Sequence, residues 1–264
     1  MYKKPNTSEK IENTTGMLHN KLGFVATEAY KLLRTNLLFT LPGEQKCKVV
    51  GVTSSLRGEG KSTTAINLSY AIAETGKKVL LIDADLRLPS VAKKIEIHST
   101  PGLSNLIVAN AEKSEALRGY EKLESWTILP AGDVPPNPTE MLGSAQMKKL
   151  MDELKNDYDY IIVDLPPVNI VSDAMVISPL LDGMLVVVRE NYSERRELSQ
   201  CIKQLELSGV KLLGIVMNQS NSDNTIYGRY KRSRYYKKLY KYHKSSGYYK
   251  KSPYGTPYAQ GEKK

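Results

Sequence analysis

Two cysteines, Cys47 and Cys201, are all that 264 residues carry, and they stand in no metal-binding spacing. That excludes a disulfide framework and suits a reducing compartment. No apolar run reaches the roughly eighteen residues that a membrane span needs. The opening stretch MYKKPNTSEKIENTTG has no apolar core of the kind a signal peptide requires. Together these absences predict a cytosolic chain. Acidic residues are almost missing from the C-terminus: from Tyr227 onward there are 12 Lys or Arg and one acid, Glu262. The formal net charge of +10 therefore sits in a tail of +11, and the remainder carries −1. A folded domain without a basic excess gives no electrostatic support for nucleic-acid binding, and no nucleic-acid partner is expected.

The tail also lacks Phe and Trp and has almost no aliphatic residues. It holds ten of the 17 tyrosines, Tyr227, Tyr230, Tyr235, Tyr236, Tyr240, Tyr242, Tyr248, Tyr249, Tyr254 and Tyr258. Such a segment cannot bury enough apolar surface to offset its ordering entropy, so residues 221–264 are expected to be disordered. Aromatics among cations can stack on bases or touch anionic lipid. Stacking would accept Phe or Trp equally, however, whereas a phosphoryl acceptor needs the hydroxyl. The exclusive use of Tyr favours the acceptor.

What is present begins at Lys48. Lys48–Thr53 is a short β-branched run, read as a buried strand, that empties into SSLRGEGKS before a helix expected from Thr63 to Thr75. Strand, glycine loop, Lys-Ser and helix make a phosphate-binding loop. Gly58 and Gly60 let amides converge on phosphate oxygens, the helix N-terminus adds positive potential, Lys61 reaches the β and γ phosphates, and Ser62 can ligate Mg²⁺. The first glycine of G-x-x-x-x-G-K-[ST] is replaced by Ser55. A glycine turn that merely precedes a lysine would have to account for the acids that follow.

Those acids end two further strands. Val79–Ile82 leads into Asp83-Ala84-Asp85-Leu86-Arg87, and Tyr160–Val163 leads into Asp164-Leu165-Pro166-Pro167, the form of a Walker B element. In an open parallel sheet the carboxyl ends of strands line the ligand crevice, which brings all three acids toward Lys61 and Ser62. One acid can hold metal while another takes a proton. Further strands are expected at Trp126–Leu129, Gly183–Val188 and Lys211–Met217. Helices are expected at Thr27–Leu38, from Leu103, from Thr139, over Ala145–Lys155 and over Ser193–Leu207, with Cys201 on a buried side. Pro42-Gly43 separates the first helix from the central strand. The alternation predicts an α/β fold with a doubly wound, mostly parallel sheet at 23–220, after a flexible N-terminus at 1–22.

These motifs together resemble the bacterial tyrosine kinases that govern capsule and exopolysaccharide synthesis, relatives of the partition and septum-positioning ATPases. The resemblance spans about residues 23–264 and rests on SSLRGEGKS, VLLIDADLR, YIIVDLPP and the tyrosine tail. It implies a P-loop fold that tolerates Ser55, with ATP and Mg²⁺ as cofactors. It implies catalytic Lys61, Asp83, Asp85 and Asp164, with Asp83 orienting or deprotonating the tyrosine hydroxyl and Ser62, Asp85 and Asp164 serving the metal. Nucleotide contacts fall to Ser55, Gly58, Glu59, Gly60, Lys61, Ser62 and Thr63, with Asn218 near the adenine. For Arg87, a place in the nucleotide site and a structural ion pair both stand. Arg57 occupies a position where relatives usually have Pro.

The implied acceptors are Tyr235, Tyr236, Tyr240, Tyr242, Tyr248, Tyr249, Tyr254 and Tyr258, phosphorylated in trans within a ring of unphosphorylated copies. The subunit contact would use Glu28, Lys31 and Arg34, although Lys31 replaces an arginine and loses its bidentate geometry. The implied partners are a membrane-bound activator of the polysaccharide co-polymerase type, which would hold the kinase at the inner face of the membrane, and a tyrosine phosphatase. The competing reading is a partition-type switch ATPase with a membrane- or nucleic-acid-binding tail. Such proteins carry a lysine where Leu56 stands and lack the tyrosines. A binding module with an incidental nucleotide site is a third.

Overall fold

The computed structural model describes residues 22–41 and 46–220. The N-terminal stretch up to residue 21, Pro42-Gly43 and the tyrosine tail lie outside them. Chain contacts divide the molecule after Asn218, and the unit ending there holds the sheet. Its seven strands are β1 (Lys48–Ser54), β2 (Val79–Asp83), β3 (Arg118–Gly119), β4 (Trp126–Leu129), β5 (Tyr160–Asp164), β6 (Gly183–Arg189) and β7 (Leu212–Asn218). They form one sheet in the order β3-β4-β2-β5-β1-β6-β7. Every pairing is parallel except the short β3 with β4. Parallel neighbours require crossovers, and helices supply them on both faces.

The strands read as continuous apolar runs because both faces are covered. Neighbouring residues show the alternation: Val49, Leu80 and Ile161 face one core, while Val50, Leu81 and Ile162 face the other. The first core is completed by α4 (Leu103–Ile107), α7 (Ala145–Leu154) and α9 (Arg195–Leu207), with Cys201 buried in it. The second takes α1 (Phe24–Thr40), α2 (Lys61–Ala73) and an edge-to-face trio of Tyr70, Tyr120 and Trp126 with ring centroids 5.3–6.1 Å apart. Trp126 Nε1 donates to Ser69 Oγ at 3.0 Å, so its one polar atom is satisfied in the interior.

The structure differs from the sequence expectation at several boundaries. Helix α2 starts at Lys61, two residues before Thr63, so the motif's own Lys and Ser form its first turn. Helix α9 starts at Arg195 rather than Ser193, because the Ser193 hydroxyl already accepts from Arg189 N at 2.8 Å. The short elements α3 (Val91–Ile95), α5 (Lys113–Ala116), β3 and α8 (Asp173–Val176) have too few residues to show a period, as does α6 (Pro138–Leu142) beyond its proline start. No helix among the described residues is long and apolar enough to cross a membrane.

Candidate active site

The central strand β1 lies between β5 and β6, and the loop after it enters α2 where the strands of the sheet end. Gly58 and Gly60 turn that loop with φ of +80° and +100°, values at which an L side chain is strained. At Gly60 a second constraint acts, since a Cβ there would lie 1.9 Å from Asn218 Nδ2. That amide donates to Glu59 O at 3.0 Å, so β7 clamps the back of the loop. Glu59 itself is fully buried. Its carboxylate accepts Ser55 Oγ at 2.8 and 2.9 Å and Leu56 N at 2.7 Å, and also the Ser193 hydroxyl. Ser55 thus stands in the glycine position of the motif because its hydroxyl has a partner inside the loop. The Ser55 and Glu59 side chains brace the loop from within rather than presenting themselves to a ligand.

At the start of α2, Lys61 Nζ lies 2.8 Å from Asp85 Oδ2 and 3.6 Å from Asp164 Oδ1. Burial disfavours the ammonium, but Asp164 and Asp85 more than offset this and its pKa is raised. Ser62 Oγ is 3.5 Å from the same nitrogen and accepts the Ser90 hydroxyl at 2.9 Å. Thr63 follows in the same turn. Strand register places Asp83 directly beside Asp164. Burial, and then the charge of Asp164, push Asp83 up to about 7 from the usual carboxylate range, with the Val91 amide working the other way. Its Oδ2 accepts Ser90 N at 3.1 Å and Val91 N at 2.9 Å, while Oδ1 accepts Asp85 N at 3.2 Å. Asp164 is raised as well, chiefly by burial, with Lys61 and Ser62 working the other way; both its oxygens are buried, and no donor lies within ordinary hydrogen-bond distance. A cation flanked by three acids, two of them resisting ionisation, is a site arranged for more positive charge than the protein alone provides.

This constellation can be compared with known proteins. The AAA domain family matches residues 47–212, more than half of the chain. Tyrosine-protein kinase YwqD of Bacillus subtilis is 38% identical over 205 residues, covering 77% of this chain and 86% of that protein. Tyrosine-protein kinase CpsD of Streptococcus agalactiae is 36% identical over 204 residues, covering 77% and 87%. The crystal structure of the chimerical protein CapA2B2 matches with a TM-score of 0.70 at 32% identity, over 74% of this chain and 84% of that one.

The chain belongs to the bacterial tyrosine-protein kinases. Its family members are P-loop ATPases by fold, and membership favours the kinase reading over the partition-type switch.

Within this kinase the remaining sequence-derived residues fall in different places. Arg87 does not join Lys61. It forks onto buried Asp173 through Nε at 2.9 Å and Nη2 at 3.1 Å, and onto Thr139 Oγ1 at 2.8 Å. The geometry is that of a structural ion pair, tying the loop after β2 to α6 and α8. On α1, Lys31 pairs with Glu28 at 2.9 Å, and Arg34 donates to Ala71 O of its own α2 at 2.6 Å. Several contributors carried no motif signal. Ser90 binds Ser62. The turn Arg189–Ser193 reaches the phosphate loop through Arg189, Tyr192 and Ser193, with Tyr192 Oη donating to Arg57 O at 3.0 Å. The adjacency of β6 to β1 brings that turn there, and one sequence does not reveal strand order.

Proposed function

We propose that this kinase transfers the γ-phosphoryl group of ATP to its own C-terminal tyrosines, Tyr235, Tyr236, Tyr240, Tyr242, Tyr248, Tyr249, Tyr254 and Tyr258, in trans within a ring of copies. The observation that most supports the reading is Lys61, held 2.8 Å from Asp85 and 3.6 Å from Asp164 at a helix N-terminus. A lysine so placed can exchange carboxylates for phosphate oxygens. Together with the loop amides it would compensate charge on the transferring group, which is most of what phosphoryl transfer asks of a protein. Asp83 Oδ1, with a single backbone donor, is the oxygen with room to take the phenolic proton. A base with a pKa of about 7 is matched to that task near neutrality. Asn218, against the loop backbone at the end of β7, would lie by the adenine.

Ser62, Asp85 and Asp164 would hold Mg²⁺, and the buried oxygens of Asp164, with no donor in ordinary hydrogen-bond distance, fit a cation. No group of three acidic, His or Cys side chains among the described residues could hold a metal unaided. That suits an ion which takes its other ligands from phosphate and water. When bound, it neutralises charge on the β and γ oxygens.

In this reading a membrane-bound activator of the co-polymerase type holds the kinase at the inner face of the membrane, and capsule or exopolysaccharide synthesis is the process regulated. Each phosphotyrosine adds roughly −1.5 to −2 charges. Several would cancel the tail's +11 and release it from an acidic site, opening the ring until a phosphatase restores it. The test is intact mass after incubation with Mg²⁺, ATP and the activator's cytoplasmic segment. Wild type should gain phosphates stepwise, while Lys61→Met and a chain with its tail tyrosines changed to Phe should not gain that series. Steady phosphate release from ATP without protein labelling would favour a switch ATPase instead.

A further inference from the structure

Among the described residues one tyrosine is exposed. Tyr70, Tyr120 and Tyr158 are buried and Tyr30 and Tyr160 half-buried, whereas Tyr192 is 49% exposed. It sits in the turn that follows β6. Its hydroxyl donates to Arg57 O at 3.0 Å, and a Cβ built on Gly58 would lie 3.3 Å from its Oη. The Arg189 guanidinium lies over the ring, 5.0 Å from its centroid, and Arg189 Nη1 donates to Gly58 O at 3.4 Å. Next to it, the Ser193 hydroxyl holds Glu59. The turn is closed by Tyr192 N and Ser193 N donating to Arg189 O at 3.2 and 2.9 Å. The phenol is therefore accessible and fixed against the edge of the phosphate loop, with the Arg189 guanidinium beside it.

We propose that Tyr192 is a phosphorylation site of this kinase, and that phosphate there closes the loop to nucleotide. The inference rests on the kinase reading. In the step, the bond between the γ-phosphorus of ATP and its bridging oxygen breaks and a bond from that phosphorus to Tyr192 Oη forms. ADP leaves, and the phenolic proton passes to Asp83 of the donor. The donor is a second copy, because Oη occupies the carbonyl edge of its own loop, opposite the amides that cradle phosphate.

The consequences follow from charge and hydrogen bonding. The ester oxygen can no longer donate to Arg57 O, and two acceptors 3.0 Å apart repel. A group of about −1.5 to −2 charges then lies beside Gly58, at the edge of the loop, and repels the β and γ phosphates of ATP. Arg189, which already lies over the ring, would retain it in charge-assisted bonds. Tail phosphorylation would change assembly, whereas Tyr192 phosphorylation would change nucleotide binding.

The test uses full-length chains. An acceptor with all ten tail tyrosines changed to Phe and Lys61→Met cannot label itself, and it is mixed with wild type, the activator's cytoplasmic segment, Mg²⁺ and ATP. The expected result is one added phosphate on the acceptor, mapped to Tyr192 and absent when Tyr192→Phe is added. Wild type that labels its own tail while the acceptor stays unlabelled overturns the Tyr192 site and leaves the kinase reading standing. Wild type that takes no phosphate overturns both. A second measurement separates the phosphorylated and unphosphorylated fractions of the tail-Phe chain with Lys61 intact and titrates each with a fluorescent ADP analogue. At least tenfold weaker binding by the phosphorylated fraction is expected, and equal affinity overturns the closing role.

Discussion

Two ends of one sheet treat buried polarity in opposite ways. Around β4, Trp126 and its aromatic neighbours are packed edge to face and the indole N–H has its partner. At the carboxyl ends of β2 and β5, side-by-side Asp83 and Asp164 are buried with raised pKa values, Asp83 held only by backbone amides and both balanced by Lys61. The first region contributes stability, and the second holds repulsion that a polyanion and its cation relieve. The difference teaches that the conformational stability of this kinase and its chemistry reside at separable places, and substitutions can pull them apart.

The largest separation is expected from Lys61→Met. With Lys61 compensating transition-state charge as proposed, its removal should cut tail phosphorylation by about 10²- to 10³-fold or more, measured as initial rate by intact mass. A variant retaining a tenth of the wild-type rate would show that Lys61 is not the central charge. The mirror experiment is Trp126→Ala. It empties a large buried volume and breaks the Ser69 contact, so unfolding free energy should fall by about 3–5 kcal/mol, read by denaturant titration, with kcat per folded molecule unchanged. Equal losses of rate and stability in both variants would abolish the distinction.

Asp164→Asn gives a smaller effect with a sign that depends on pH. Because the folded-state pKa values of Asp164 and Asp83 are raised, the folded state binds protons more tightly than the unfolded chain. Wild-type stability is therefore highest at low pH in this respect and declines as pH rises from about 4 through about 7, the value for Asp83. The amide removes one of the two charges and keeps an oxygen toward Lys61 and Ser62. At pH 8 the nucleotide-free variant should be more stable than wild type by on the order of 1 kcal/mol, an advantage that shrinks toward pH 5, while its kinase rate drops. A thermal-unfolding series across that range checks the sign, and a variant less stable at pH 8 would mean that attraction to Lys61 outweighs the repulsion.

How much of this could be read in the chain follows the same division. The strands were legible because both faces of a parallel sheet are buried, so β1, β2 and β5 are short β-branched runs ending in chemistry. Lys61, Asp83, Asp85 and Asp164 were legible because each follows such a run. Glu59 and Arg87 were legible as motif positions but not as to what they touch, since Ser193, Asp173 and Thr139 are distant in sequence. The Arg189–Ser193 turn was invisible, because only strand order brings it to the loop. The expectations for the tail tyrosines concern residues outside those described.

The smallest effects are expected on α1, where the comparison reaches residues that resemble a subunit contact. Arg34 donates to Ala71 O within its own chain, whereas Lys31 and Glu28 pair with each other in a partly exposed position three residues apart. Arg34→Ala should lower the stability of the isolated chain by about 1.5 kcal/mol, since it removes a charged hydrogen bond between helices. Glu28→Ala should change it by less than about 0.5 kcal/mol. If Glu28 also bonds a neighbouring copy, its substitution should shift the assembly equilibrium in sedimentation without moving the monomer's unfolding midpoint. A Glu28→Ala chain with unchanged assembly would leave the pair as a surface contact only, and would pass the burden of any subunit interface on this helix to its exposed apolar residues, Leu32, Leu38 and Phe39.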